Sequence, residues 1–548
     1  MSAAASPVAS KPLADHYDLV IVGAGFGGMY MLHKARALGL SARVFEAADD
    51  VGGTWYWNRY PGARCDIESL EYSYSFDEDL QQSWRWSERF ATQPEILRYA
   101  QHVAERFGLR TDISFNARVS EAHFDESASQ WRVSVASSAD GAPLAELSAR
   151  FVVMATGCLS STNQPDIPGL DSFAGATYHT GQWPHEGVDF TGKRVGVIGT
   201  GSSAIQSIPV IAAQAKELTV FQRTPNYSVP AHNAPIDPTY EQRIKSDYAN
   251  FRARNREMIA AFGANAPTPE GSVRSASAEH RREVFERWWE RGGLGFTRAF
   301  DDLMLDDGAN EYACEFVRGK IHQIVEDPRT AELLSPSQVI GCKRLCVDTD
   351  YYATYNRPNV HLVDIRSTPI ERITPQGVQV GEQVHALDCL VLATGFDAMT
   401  GTLMKIDIRG AGGLTLRDAW SAGPRNYLGL MVAGFPNLFM VTGPGSPSVL
   451  TNMIMSIEQH VEFIADCIAW LRDGGNRRVE AAESAQDAWV AHVNEVAGAT
   501  VFPQCNSWYL GANVPGKARV FMPLLGFPAY VQKCREVVEH GYEGFVVN

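Results

Sequence analysis

The chain has 548 residues, a formal net charge of -15, and 45% hydrophobic against 20% charged residues. It is long enough for several folding units with full cores, and its acidic balance argues against a nucleic-acid surface or adsorption to anionic lipid. Nine cysteines without a CxxC pair argue against a zinc site or a disulfide framework and for a reducing cytoplasm, and no apolar run reaches membrane-spanning length.

The N-terminal text MSAAASPVASKPLADH is small and polar, and reads as a frayed tail of residues 1–16 rather than a signal peptide. Tyr17 and Asp18 then lead into an apolar strand, Leu19 to Val22, followed by glycines, a helical segment from Met29 to Leu38, Gly39, and a second strand from Ala42 to Glu46. This is a βαβ unit. The spacing of Ile96, Leu97, Ala100, Val103, Ala104 and Phe107 predicts an amphipathic helix between about Thr92 and Arg110. Strand-like pieces follow at Ser114 to Val119, Trp131 to Ala136 and Phe151 to Ala155, with a hairpin turn at Ser138 to Gly141. The text CLSSTNQPDIPGLD, from Cys158 to Asp171, is too rich in proline and glycine for a regular element and reads as a linker. A second βαβ signal begins at Arg194. Residues 235–335 are polar and helical in texture, with the loop GANAPTPEGSVRSASAEH a candidate for mobility. Strands return near Val339, at Val360 to Val363 and at Leu387 to Leu392, and a helix covers Met453 to Leu471.

Two glycine turns carry the chemistry. In Gly23-Ala24-Gly25-Phe26-Gly27-Gly28, Gly23 permits the tight turn, Gly25 lets a pyrophosphate approach the helix N-terminus, and Gly28 lets helix and strand touch. Glu46 ends the next strand, where a carboxylate accepts both ribose hydroxyls and repels a 2'-phosphate, so this turn fits FAD or NAD. The second turn, Gly199-Thr200-Gly201-Ser202-Ser203-Ala204, follows the strand Val195 to Ile198, and its next strand ends in Arg223-Thr224 instead of an acid. A guanidinium and a hydroxyl there suit the phosphate of NADPH. Met154-Ala155-Thr156-Gly157 and Leu392-Ala393-Thr394-Gly395 repeat one pattern, an apolar strand ending in a small turn, which suggests that each nucleotide domain is interrupted and completed later. The fold class is therefore α/β, with two Rossmann-like dinucleotide-binding domains and an inserted helical region.

On two longer motifs the chain resembles the type I Baeyer–Villiger monooxygenases, a group of class B flavoprotein monooxygenases. One is Phe-x-Gly-x-x-x-His-x-x-x-Trp-Pro, standing here from Phe173 to Pro184 with His179 and Trp183; the other runs from Gly52 to Asp66 as GGTWYWNRYPGARCD. The resemblance implies a glutathione-reductase-like architecture with an FAD domain of residues 17–157 and 396–548. It further implies an NADP domain of 158–234 and 336–395, and a helical insertion of 235–335. It implies FAD contacts from Phe26, Thr54, Trp55, Asp66, Tyr72 and Val119; in Gly341-Cys342-Lys343-Arg344 it implies that Lys343 helps bind the NADP phosphate and that Arg344 reaches over the flavin. Arg344 is the main catalytic candidate, with Asp66 orienting it. Pro444 to Ser448 is expected to bulge beside the flavin, and Asn506 to Asn513, with Trp508, to close over the nicotinamide. His179 lies in the linker and is read as a hydrogen-bonding hinge rather than a proton-transfer group.

The activity so implied is NADPH- and O2-dependent oxidation of an aryl, cyclic or polycyclic ketone to an ester or lactone, through a C4a-peroxyflavin and a tetrahedral peroxy intermediate. NADP+ is retained throughout. The expected enzyme is cytoplasmic, a monomer or weak homo-oligomer, with no nucleic-acid or membrane partner. Two alternatives differ in kind: a flavin-dependent sulfide or amine monooxygenase, and a flavin-carrying redox sensor without turnover. A disulfide reductase is disfavoured because no close cysteine pair follows the first βαβ unit.

Overall fold

The computed structural model describes residues 11–548, so most of the expected N-terminal tail lies outside the described residues. The first strand, His16–Val22, takes in the last residue of that tail. It pairs in parallel with Ala42–Phe45 on one side and Pro143–Met154 on the other. Both of its edges are thus paired, and Leu19 to Val22 are buried, as expected of a continuous apolar run inside a sheet. The sheet continues through the antiparallel strands Gln130–Ser137 and Ala117–Asp125 to Asp407–Arg409, and Leu438–Met440 pairs with the end of Pro143–Met154. One sheet is therefore built from chain on either side of a long interruption.

The helix of the first unit spans Phe26–Ala37, three residues earlier than the apolar periodicity predicts, because Gly27 and Gly28 are themselves helical. The amphipathic helix is present as Gln93–Arg106, with Ile96, Tyr99, Ala100, Val103 and Ala104 buried.

The second sheet has five strands, all parallel, in the order Val360–Asp364, Glu217–Gln222, Arg194–Ile198, Cys389–Leu392, Ala176–His179. Helix Ser202–Gln214 makes its first crossover. This sheet too is completed late in the chain, as the repeated Ala-Thr-Gly texts suggested.

Between the two halves of the second sheet come the helices Pro238–Lys245, Tyr248–Arg256, Ala278–Arg291, Asp307–Ile324 and Pro328–Leu334. Asp237, Ser277, Asp306 and Asp327 cap four of them by accepting a main-chain N–H. The loop of residues 263–280 is tied down at its middle: Val273 is fully buried and its N–H donates to Asp302 at 3.0 Å. Among the described residues no helix is long and apolar enough to cross a membrane.

Two expectations are overturned. Residues 335–345 form no strand, and the strand placed near Val339 comes later, at Cys346–Asp348. Cys342 and Cys505 form a disulfide. They are 163 residues apart in the sequence, so no local spacing announces the pair.

Candidate active site

Each glycine turn is shaped by the Ala-Thr-Gly strand end beside it. Gly23 has φ +101°, and a Cβ there would stand 2.7 Å from the Ala155 carbonyl oxygen; Gly199 has φ +117°, and a Cβ there would stand 2.4 Å from that of Ala393. Both positions demand glycine on two counts, left-handed backbone and contact. A Cβ on Gly28 would strike the Gly23 carbonyl at 1.8 Å, as expected of a helix pressed on its strand. Gly201 has open space where a Cβ would stand, at the N-terminus of helix Ser202–Gln214. That opening, with unpaired N–H groups around it, fits a pyrophosphate.

The ribose-reading positions also fit their expected nucleotides. Glu46 is buried at the end of its strand and accepts from Ala24 N–H at 2.6 Å and Ala48 N–H at 2.8 Å. Burial pushes its pKa up, against those two hydrogen bonds. Its carboxylate is thereby held beside the first turn with lone pairs to spare. Arg223 is exposed and, among the described residues, neither it nor Lys343 makes an ion pair. Burial, together with the charge of Arg223, lowers the pKa of Lys343. Two mutually repelling cations without a carboxylate, in a chain of net charge -15, suit a phosphate dianion. Thr200 donates its hydroxyl to the Thr224 carbonyl at 2.7 Å, which fixes the turn to the strand end carrying Arg223.

Asp66 and Arg344, 278 residues apart, meet in a two-pronged ion pair. Arg344 Nε donates to one carboxylate oxygen and Nη2 to the other, both at 2.8 Å, while Nη1 donates to the Val449 carbonyl at 2.7 Å. Three donors held at once leave the guanidinium little rotational freedom. Its side chain is 23% exposed and that of Asp66 20%, so the pair is largely desolvated yet reachable. Burial opposes the charge on Arg344, but the Asp66 carboxylate outweighs it and raises the pKa above the ordinary arginine value.

The loop from Gly52 to Asp66 contributes the rest of the wall. Thr54–Trp57 is a single helical turn, Trp55 donates its indole N–H to Tyr72 at 3.1 Å, and Phe26 meets Tyr72 edge-on. Gly25 and Gly53 touch backbone to backbone, since a Cβ on Gly53 would lie 2.9 Å from Gly25 Cα. This brings the loop directly over the first turn. Val119 sits in a strand with its side chain in the core, so only its main chain, at the bulge between Val119 and Glu121, is left to meet a ligand. Ser202 and Ser203 are at the start of their helix, with side chains toward Cys346 and Thr180.

Two contributors escape sequence reasoning. The Val449 carbonyl is main chain and leaves no side-chain signature. The other is Tyr509, whose buried hydroxyl faces Arg344; burial pushes its pKa up to about 12 while the guanidinium pulls it down. The expected ring, Trp508, is half-buried beside it, with centroids 4.3 Å apart. Both stand in the short 3-10 turn Trp508–Leu510, where successive side chains diverge by a third of a turn. His179 is buried, accepts from Gly181 N–H at Nδ1 (3.0 Å) and contacts the Thr394 hydroxyl through Nε2 at 3.2 Å. Both ring nitrogens are engaged, by the linker and by the second Ala-Thr-Gly strand end.

Two sheets whose strands run parallel around a glycine turn, one turn backed by an acid and the other by two cations unpaired among the described residues, define an oxidoreductase that couples a flavin to a pyridine nucleotide. A family profile described as pyridine nucleotide-disulphide oxidoreductase matches residues 20–271. A Baeyer-Villiger monooxygenase of Pseudooceanicola batsensis is 43% identical over 98% of this chain and 97% of its own length. Phenazine N-monooxygenase of Lysobacter antibioticus is 42% identical over 97% of each. The solved structure of an oxidized steroid monooxygenase bound to NADP matches with a TM-score of 0.91 at 51% identity, covering 97% of this chain and 99% of that one. The chain belongs to the Baeyer–Villiger monooxygenases of the class B flavoprotein group.

Proposed function

We propose that the chain oxidises ketones to esters or lactones with NADPH and O2, using Arg344 as a fixed cation and Asp66 to aim it. The observation that carries this reading is the three-donor clamp on Arg344, beside the loop that covers the first glycine turn. FAD is held by the first turn, Glu46, Phe26, Thr54, Trp55, Tyr72, Asp66 and the Val119 main chain. NADPH is held by the second turn, Arg223, Thr224, Lys343 and the Trp508 segment. The sheets support a glutathione-reductase-like division into an FAD domain (17–157 with 396–548), an NADP domain (158–234 with 336–395) and a helical insertion (235–335).

When bound, FAD would supply the electron-accepting and oxygen-activating chemistry and NADPH the hydride. Arg344 then holds negative charge on the attacking oxygen and on the carbonyl oxygen as it is attacked, a task for a preorganised donor that needs no titrating side chain. Tyr509 faces the guanidinium and, with Trp508 beside it, excludes water. In this reading the enzyme works in the cytoplasm, alone or as a weak homo-oligomer. The substrate class extends to aryl, cyclic and polycyclic ketones.

The test is NADPH oxidation across a ketone panel with mass detection of the product. One added oxygen atom in the ketone product is expected, and NADPH consumption that yields only hydrogen peroxide with every ketone would refute it. A second reading, oxygen transfer to nitrogen or sulfur, is favoured by the likeness to phenazine N-monooxygenase. A phenazine and a thioether, run separately, distinguish the two.

A further inference from the structure

The segment expected to close over the nicotinamide is fastened at both of its ends. Downstream, Asn513 donates to the Phe396 carbonyl at 2.6 Å, and Lys517 pairs with Asp397 at 2.5 Å and donates to the Ala398 carbonyl. Upstream, its fastening is covalent: Cys505 is bonded to Cys342. Cys342 lies two residues before Arg344, and Cys505 four before Tyr509. The bond therefore joins the segment bearing the catalytic cation to the segment that covers it.

The two sulfurs differ in access. Cys342 is fully buried, while Cys505 is partly exposed. The other seven cysteines are free and buried. We propose that Cys342 and Cys505 form a reversible redox-modification site, a dithiol–disulfide couple oxidised by hydrogen peroxide and reduced by a small thiol, that locks the closing segment onto the Arg344 segment. This rests on the proposed function only for what the segment covers and for the source of the oxidant.

The chemistry balances with reagents at hand. Turnover without a substrate passes the two electrons of NADPH to O2 and releases hydrogen peroxide, so the proposed activity itself supplies the oxidant. The Cys505 thiolate attacks one peroxide oxygen, the O–O bond breaks, and hydroxide leaves as water, giving a sulfenic acid. The Cys342 thiolate then attacks the Cys505 sulfur and expels the second water, so two thiols have lost two electrons and two protons. Reduction starts at Cys505, the more accessible of the two: an external thiolate forms a mixed disulfide there and Cys342 leaves as the thiolate. A second external thiol then frees Cys505.

The test uses full-length, FAD-loaded protein after dithiothreitol or after stoichiometric peroxide, denatured for thiol titration or kept native for kinetics. Nine thiols are expected when reduced and seven when oxidised, the missing pair mapping to peptides of Cys342 and Cys505. Oxidation should slow NADP+ release at least threefold, followed by fluorescence with no ketone present, and protect the 502–518 segment from limited proteolysis. Both changes should reverse with dithiothreitol and be absent in Cys505→Ser, with Cys342→Ser as the second variant. Nine thiols after peroxide would overturn the proposal. So would loss of the pair with unchanged NADP+ release, or the same change in Cys505→Ser. Because neither readout requires a ketone product, failure here is separable from failure of the oxygenation reading.

Discussion

At the scale of single residues, the site depends on charges held in place rather than on groups that titrate. Replacing Arg344 with alanine leaves Asp66 as a largely desolvated carboxylate facing the place where, in the proposed reading, negative charge develops. Ketone oxygenation should fall by about 10²-fold or more, the usual effect of deleting one preorganised donor, while NADPH still bleaches the flavin. Stopped-flow reduction and product analysis measure the two separately, and ester formation at the native rate would remove Arg344 from the mechanism. Arg223 works differently, because it binds rather than stabilises a charge in flight. Loss of one charge-assisted hydrogen bond costs about 1.5–3 kcal/mol, so Arg223→Ala should raise KM for NADPH by roughly tenfold to a hundredfold. KM for NADH should hardly move, and an equal rise for both would show that Arg223 does not read the phosphate.

At the scale of elements, one buried histidine ties three of them together. His460, on helix Met453–Asp473, accepts from Thr442 N–H at Nδ1 (2.9 Å) and meets the Tyr530 hydroxyl at Nε2 (3.0 Å). Tyr530, on helix Phe527–Glu539, donates its own proton to the Leu428 carbonyl. The network is satisfied only by a neutral ring with its proton on Nε2. Burial accordingly lowers the His460 pKa from 6.5 to about 3. The unfolded chain binds the extra proton first as pH falls, so the stabilising effect is complete above pH 6.5 and is lost on going down toward 3. At pH 5 the loss is about 2 kcal/mol. Tm measured from pH 7.5 to 5 should therefore fall more steeply for the native protein than for His460→Gln, and parallel curves would refute the assignment. Sequence legibility follows a similar divide between local and distant causes. The strands Leu19 to Val22 and Val195 to Ile198, both glycine turns and Glu46 are legible because hydrophobic period and turn chemistry are local. The Asp66–Arg344 pair was reached through motif resemblance, since nothing local joins residues 278 apart. The disulfide, the Val449 carbonyl and the inward turn of Tyr509 are set by tertiary packing alone, and no spacing or residue type encodes them.

At the scale of the whole molecule, the chain must pass twice between its two large sheets, and the two passages run side by side. Asn163 N–H donates to the Gly395 carbonyl at 2.9 Å, Thr394 donates its hydroxyl to the Asn163 carbonyl at 2.7 Å, and Asp397 N–H donates to the Ser161 carbonyl at 2.8 Å. His179 closes the set: Nδ1 accepts from Gly181, so Nε2 carries the proton and donates to Thr394. Burial lowers its pKa and favours this neutral form. The paired passages are bonded to one another, so neither can twist without breaking bonds to the other. Thr394→Val keeps the shape but removes the hydroxyl that joins the buried His179 N–H to the half-buried Asn163 carbonyl. The folded protein should lose about 1–3 kcal/mol, the cost of stranding buried polar groups. A looser connection also holds the nicotinamide side less firmly against the flavin side, so more of the NADPH consumed should end as hydrogen peroxide instead of ester. Measuring both quantities separates the two effects: lower stability with unchanged coupling would make this contact structural only, and would leave relative domain position to the Asp66–Arg344 pair.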